Sequence, residues 1–360
     1  MGPSCLLIDL LLNPLLCRGF SLRDWETVIR QARVSSMQVR LATRLQEEGL
    51  YDDVPLAPQR HLEAALTLRD RQRVAVRWEV EYLARMTASV NVPLVLLKGA
   101  AYEMARLPPG RCRVFADFDL LVPREALERV EIAAMTHGWT SAHQNAYDQR
   151  YYRQWMHELP PMRHITRRSV IDIHHNLVPD TARLQPNAAS LLADSVACPD
   201  RSDVRVLSPP DMVLHSVVHL FHDGEFDKGL RDLFDLRDLL EHFMTSAEDW
   251  QLLTTRARNM GLQRPLYYAL RYLQRWLDTP VPFEVTQQLQ GAKPAVPARL
   301  MDATFERGLL PNHETCSDRW CAPARLLLYA RGHALRMPPH LLVPHLFRKA
   351  LRRLHLANDG

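Results

Sequence analysis

Apolar residues recur at three- and four-residue spacing through Leu62, Ala65, Leu66, Val76, Val80, Leu83 and Met86, with no Gly and no further Pro after Pro58. That period predicts one long amphipathic helix from Pro58 to Val90, ended by Pro93. The chain's longest apolar run, Cys5 to Cys17, is interrupted by Asp9, Asn13 and Pro14. It falls short of the roughly 20 apolar residues a membrane span needs, and no basic residue precedes it as a secretory signal requires. It is expected to form a buried first helix. After Pro93 the pattern shortens. Pro93 to Leu97 has strand length and composition, Ala100 to Arg106 suits a short helix, and Pro108-Pro109-Gly110 a turn. Val114 to Val122 is expected to be a second strand, followed by a helix from Arg124 to His137 that stops at Gly138. Two further strands are expected, around Tyr147 to Met156 and at Val170 to His174. Beyond Pro209-Pro210 the helical period returns, with Asp211 as N-cap, Leu214, Val217, Val218 and Phe221 on one helix face, and Leu230, Leu233, Phe234, Leu236, Leu239 and Leu240 on the next. Prolines divide the remainder into short helices.

Composition narrows the class. The 360 residues are 47% hydrophobic and 24% charged, which excludes a disordered chain, a collagen-like fibre and a polytopic membrane protein. The net charge of +4 is too mild, and too evenly spread, to signal double-stranded DNA as a partner. The six cysteines form no C-x-x-C pair, so they are read as reduced thiols of a cytoplasmic protein. Of 45 basic residues only Lys98, Lys228, Lys293 and Lys349 are lysines. The bias fits a GC-rich genome and singles out each lysine that remains.

The chemistry concentrates in Asp117-Phe118-Asp119. On a strand both carboxylates share a face, with Phe118, Leu120 and Val122 on the other. Neighbouring acids repel unless a cation lies between them, and Mg²⁺ is commonly held by one or two carboxylates together with water and substrate phosphate. Asp172 sits between Ile171 and Ile173 on a later expected strand. If the two strands are neighbours, three acids converge, enough for a two-metal site. Lys98-Gly99 stands where a strand gives way to a helix, so Lys98 is a candidate point charge for phosphate. Gly99 would let backbone N–H groups approach the anion. Arg113 is a candidate clamp for a second phosphate oxygen.

The order strand, Lys-Gly, helix, Arg-x-x-x-Asp-x-Asp, helix, Asp resembles the uncharacterised bacterial nucleotidyltransferases of the DNA polymerase β superfamily. The residues carrying the resemblance are Leu96-Leu97-Lys98-Gly99, Arg113, Asp117 to Val122, and Ile171-Asp172-Ile173-His174. A weaker likeness reaches His215, His219 and the stretch from Leu230 through Asp235. The resemblance implies an α+β fold, a nucleotidyltransferase-like palm with a small mixed β-sheet over 91–208. An N-terminal helical cap (1–90) and a C-terminal helical domain (209–360) flank the palm. It also implies Mg²⁺ held by Asp117, Asp119 and Asp172, and transfer of a nucleoside monophosphate from a nucleoside triphosphate to a hydroxyl acceptor with release of pyrophosphate. The acceptor, whether a small molecule, a protein or an RNA end, stays open. The chain departs from the superfamily at Lys98-Gly99, where Gly-Ser or Gly-Gly is usual, at Ala116 before the first aspartate, and at His175, where relatives often carry Trp.

Other readings compete. Asp117 and Asp119 could be solvated acids of an edge strand, and Asp172 the ion-pair partner of an arginine. A palm that has lost activity would serve as a binding module. His215, His219 and His222 share a helix face, and His222-Asp223 resembles the signature of HD-type metal phosphohydrolases. The same histidines would also suit an interface between the helical part and the palm. His174 could orient a carboxylate or take part in chemistry, and Asp235 could touch nucleotide or be a buried structural acid. Arg163, His164, Arg167 and Arg168 form the densest basic cluster, suited to a solvated loop, the triphosphate or a short RNA end.

Overall fold

A computed structural model describes residues 5–141, 146–222, 224, 226–293 and 298–342. The long helix runs from Leu56 to Ala88, with Pro58 in its first turn, where a missing N–H breaks no helical bond. Its buried side is densest from Val76 to Thr87, and the helix packs beside the first strand. The apolar run at the amino end forms the helix Leu6–Leu12 and a 3₁₀ segment, Pro14–Gly19, with Leu7, Leu10 and Leu11 buried.

Seven strands form one sheet: β1 (Leu94–Leu96), β2 (Asp117–Leu121), β3 (Trp139–Ser141), β4 (Met162–His164), β5 (Val170–His174), β6 (Val196–Cys198) and β7 (Arg201–Val206). Their order is β3-β4-β5-β2-β1-β7-β6. The pairings are mixed. β2 runs parallel to β5 and antiparallel to β1, and β1 runs parallel to β7. The fold is therefore α+β, with helices on both sides in sequence, and one apolar core continues from Cys5 through the sheet to Leu328. Among the described residues no helix is long and apolar enough to cross a membrane.

Several elements differ from the sequence expectation, each for a physical reason. The second strand starts only at Asp117. The backbone of Phe115 is taken by a side chain of the long helix: its N–H donates to Gln72 Oε1 at 3.0 Å and its carbonyl accepts from Gln72 Nε2. Pro108-Pro109-Gly110 opens a one-turn helix, Pro108–Arg111, rather than a plain turn. The stretch expected as a strand around Tyr147 is the helix Ala146–Trp155. Tyrosine favours strands, but Tyr147, Tyr151 and Trp155 stand four residues apart and meet edge-on, with ring centroids 6.0 Å apart for Tyr151 and Trp155. The short strands β3, β4, β6 and β7 carry too little alternation to be read in advance. Asp211 is not the N-cap of its helix, Pro209–Phe221; Ser208 holds that place. Fully buried Asp211 accepts from Ser208 Oγ at 2.8 Å and from Arg256 Nε and Nη2 at 2.7 and 2.8 Å.

A buried ion cluster fastens the helices to the segment that leads into β2. Asp235, on the helix Gly229–Phe243, accepts from Arg40 Nη2 at 2.7 Å and from Arg113 Nη1 at 2.6 Å. Arg40 belongs to the N-terminal helix Gln38–Glu47 and also pairs with Asp238 at 2.7 Å. Asp235 is thus a structural acid. Removing one partner of such a cluster leaves uncompensated buried charge. Asp235→Ala is expected to destabilise the protein by about 3–5 kcal/mol, measured as a lower urea midpoint with an unchanged denaturant slope.

Candidate active site

The parallel pairing of β2 with β5 sets the site. Its register places Asp117 opposite Val170, Asp119 opposite Asp172 and Leu121 opposite His174. Directly paired residues share a sheet face, so Asp119 and Asp172 project together, with Asp117 two residues along on the same side. Phe118, Leu120, Ile171 and Ile173 point the other way and are buried in the core. The three acids expected from the sequence are brought to one face. Asp119 is 3% exposed; Asp117 and Asp172 are half-buried.

The two paired acids differ sharply in electrostatic state. Burial alone would raise Asp119, but the charge of Lys98 and a hydrogen bond from His174 outweigh it and hold its carboxyl far below the usual carboxylate range. Lys98 Nζ donates to Asp119 Oδ1 at 2.8 Å, and His174 Nε2 lies 3.0 Å from the same oxygen. Asp172 moves in the opposite direction. Burial and the Asp119 anion push it up from 3.8 to about 7, and its Oδ1 is buried with no hydrogen-bond partner. One site of the pair is therefore a fixed anion and the other titrates near neutrality.

Lys98 sits at a sharp junction. Leu97 N–H donates to Asp119 O at 2.9 Å, and the next residue, Lys98, has φ of +48°. A non-glycine residue in this left-handed region is strained by about 1–3 kcal/mol. The bend aims the ammonium at Asp119. Gly99, expected to admit an anion, has a different reason to be glycine. A Cβ there would stand 2.6 Å from Phe115 Cγ, so the residue is required by ring packing.

Arg113 also departs from expectation. It does not reach out as a phosphate clamp; its guanidinium is 9% exposed, bonded to Asp235 and set 5.8 Å over the Tyr102 ring. Within the Arg163–Arg168 cluster, Arg163 and Arg168 stay exposed, while Arg167 is held by side chains of the long helix and β3. Arg167 Nε and Nη2 each donate to Glu79 at 2.9 Å, and the guanidinium lies 4.4 Å over Tyr82 and 4.8 Å over Trp139. It fastens the sheet edge to the long helix and is spent on that contact.

The histidine helix contributes one residue here. His215 is buried and held well below its ordinary value by burial, then by the charge of Lys98. His219 Nε2 is 3.9 Å from Asp232 Oδ2, and His222 is buried. Asp223 lies outside the described residues. No third acid or histidine joins these in a three-ligand group among the described residues. Three nearby residues were not singled out as ligands or site groups by sequence: Lys228, whose ammonium is lowered by burial and Arg231 while Asp117 opposes the shift, together with His157 and Glu158. The scarcity of lysine was the available signal for Lys228; nothing in the spacing marked the others.

A family model described as "Uncharacterised nucleotidyltransferase" matches residues 21–278. No curated protein matches the chain. One solved structure, the antibiotic-resistance factor ANT(2'')-Ia in solution, is similar at 16% identity and a TM-score of 0.36, covering 57% of this chain and 98% of that one.

The paired acids yield a pH prediction. A buried acid whose folded value exceeds its unfolded value favours folding in its neutral form. Its contribution is full below about pH 4 and is lost as pH rises through about 7. Asp119, shifted the other way, loses its contribution only in stronger acid. Asp172→Asn should therefore stabilise the metal-free protein at pH 8 relative to wild type, and do so much less at pH 5, in urea denaturation at both values.

Proposed function

From the premise that the chain belongs to the uncharacterised nucleotidyltransferase family, we propose that it transfers a nucleoside monophosphate from a nucleoside triphosphate to a hydroxyl acceptor and releases pyrophosphate. The observation that carries the reading is the Asp119–Asp172 pair, with a buried, unsatisfied oxygen on Asp172. On this reading 91–208 is the palm, 1–90 its helical cap and 209–360 the helical domain over it.

The residues fit a divalent cation. A like-charge carboxylate pair with an orphan oxygen is the kind of donor set that hard cations take, and Asp117 supplies a third carboxylate on the same face. Asp117, Asp119 and Asp172 would hold Mg²⁺, which when bound would draw charge from the phosphate oxygens. The remaining roles fall to the chain itself. Lys98, on Asp119 in this structure, has the reach and charge to follow the triphosphate once another cation neutralises that acid. Asp172 would also orient the acceptor's hydroxyl or take its proton. The acceptor oxygen would bond to the α-phosphorus as the bond to the β-phosphate oxygen breaks, so the electron pair leaves with pyrophosphate. His174 keeps Asp119 oriented through its Nε2 contact. Arg113 and Gly99 act as packing and positioning residues rather than phosphate ligands. We infer a cytoplasmic setting, a reducing compartment in which the six cysteines would stay thiols, as they stand in this structure.

One observation favours a second reading: Lys98 already neutralises Asp119, as in a palm that binds without turnover. Calorimetry with each Mg-nucleoside triphosphate, beside α-labelled transfer assays in a host lysate, separates the two. Asp117→Ala with Asp119→Ala should abolish Mg²⁺-dependent triphosphate turnover while leaving the circular dichroism spectrum intact. Lys98→Ala should lower kcat/KM by roughly 10²–10³-fold, the usual loss for one charge-stabilising group. Full turnover in the double variant would remove these acids from the mechanism.

A further inference from the structure

The chain that follows the helix Ala146–Trp155 is stitched to the end of β5. Leu159 N–H donates to Ile173 O at 2.9 Å, His175 N–H donates to His157 O at 2.8 Å, and Glu158 and His174 face each other in an antiparallel bridge. This stitching gathers three metal-ligating side chains. One ligand atom each from His157, Glu158 and His174 lie within 4.8 Å of one another. His174 Nδ1 stands 3.3 Å from Glu158 Oε2, and the two imidazoles are 5.3 Å apart, tilted by 36°. Both histidines are buried and Glu158 is half-buried, so the group is walled on the protein side and reached past the glutamate.

The two nitrogens of His174 have different partners. Nε2 faces Asp119 Oδ1, a carboxylate that accepts and cannot donate, so Nε2 carries a proton. Nδ1 faces Glu158. An imidazole lone pair and a carboxylate at 3.3 Å repel unless a proton or a metal cation lies between them. A proton needs only those two groups. The second imidazole, His157, at ligand distance from both, is what a cation calls for.

We propose that His157, Glu158 and His174 Nδ1 form a second metal site, taking a transition metal of the zinc class and leaving one coordination position open to water or a phosphate oxygen. Two imidazoles and one carboxylate suit Zn²⁺, whereas Mg²⁺ prefers an all-oxygen shell. The Asp119–His174 hydrogen bond then completes a carboxylate–histidine–metal chain, the outer-shell arrangement that fixes the tautomer of a ligating imidazole. Through it, occupancy of this site holds the ring that orients Asp119. His174 therefore joins two cation sites of different chemistry. The ligand set does not depend on nucleotide transfer, and its test uses no nucleotide.

The experiment takes the full chain, stripped with EDTA and dialysed against Co²⁺ or Zn²⁺, and reads metal content by mass spectrometry and the visible absorption of bound Co²⁺. Wild type should retain one equivalent with the intense spectrum of a low-coordinate cobalt. Asp117→Asn, which alters only the all-oxygen set, should leave it unchanged. His157→Ala and Glu158→Gln should abolish it, and Asp119→Asn should weaken affinity by roughly 10–100-fold as an outer-shell change. Glu158→Gln is isosteric at a half-exposed position, so it reports even if His157→Ala fails to fold. No stoichiometric cobalt in wild type, or undiminished cobalt in Glu158→Gln, overturns the proposal. Because neither readout involves triphosphate, cobalt binding without nucleotide turnover would overturn the proposed function alone, and turnover without cobalt binding would overturn this site alone.

Discussion

Two aspartates placed directly opposite each other on parallel strands are the constraint around which the structure is arranged. Asp119 and Asp172 meet because β2 and β5 pair with no offset between those positions. Like charges so placed destabilise a sheet, and burial sharpens the repulsion. The surroundings divide the pair. Lys98 and His174 converge on Asp119 and keep it ionised, while Asp172 faces that anion without a hydrogen-bond donor on its buried oxygen. A strained lysine, a buried histidine and a raised carboxyl all follow from one pairing. Such a cluster of opposed shifts is typical of sites that bind cations or move protons.

Holding that pair in place requires the rest of the chain. β2 enters the sheet only after Phe115, whose backbone is bound by Gln72 of the long helix and whose ring packs on Gly99. Arg113, two residues earlier, is anchored by Asp235, and Asp235 in turn by Arg40 from the N-terminal helices. The segment entering the site is thus pinned from three directions by contacts far apart in sequence. The single continuous core is consistent with this. The helical parts before and after the sheet pack on it together, and the family match from 21 to 278 runs across all three.

The same logic explains which candidate site residues the sequence could show. Asp117, Asp119 and Asp172 announce themselves because alternation along a strand is a local property, and strand-like neighbours such as Phe118, Ile171 and Ile173 mark the buried face. The ligand roles expected of Arg113 and Gly99 rest on their motif neighbours, whereas their partners in the structure, Asp235 and Phe115, are chosen by tertiary packing. His157 and Glu158 carried no local signal at all. They reach His174 only because the chain after a helix folds back antiparallel along β5. That helix itself hid behind tyrosines whose strand preference outweighed their four-residue spacing.

Elements whose period is strong and local can be read from the residues alone. These are the helix Leu56–Ala88, the strand Val170–His174, the buried amino-terminal helix, the apolar runs of the helices Pro209–Phe221 and Gly229–Phe243, and the alternation that sets each of three carboxylates on the side of its strand away from the neighbouring core side chains. It took the folded chain to show that β5 lies beside β2 rather than elsewhere in the sheet, that Lys98 closes onto Asp119, and that an arginine of the motif is buried against a distant aspartate. Strand order and ion-pair choice are settled by long-range burial and charge compensation, which local spacing does not encode.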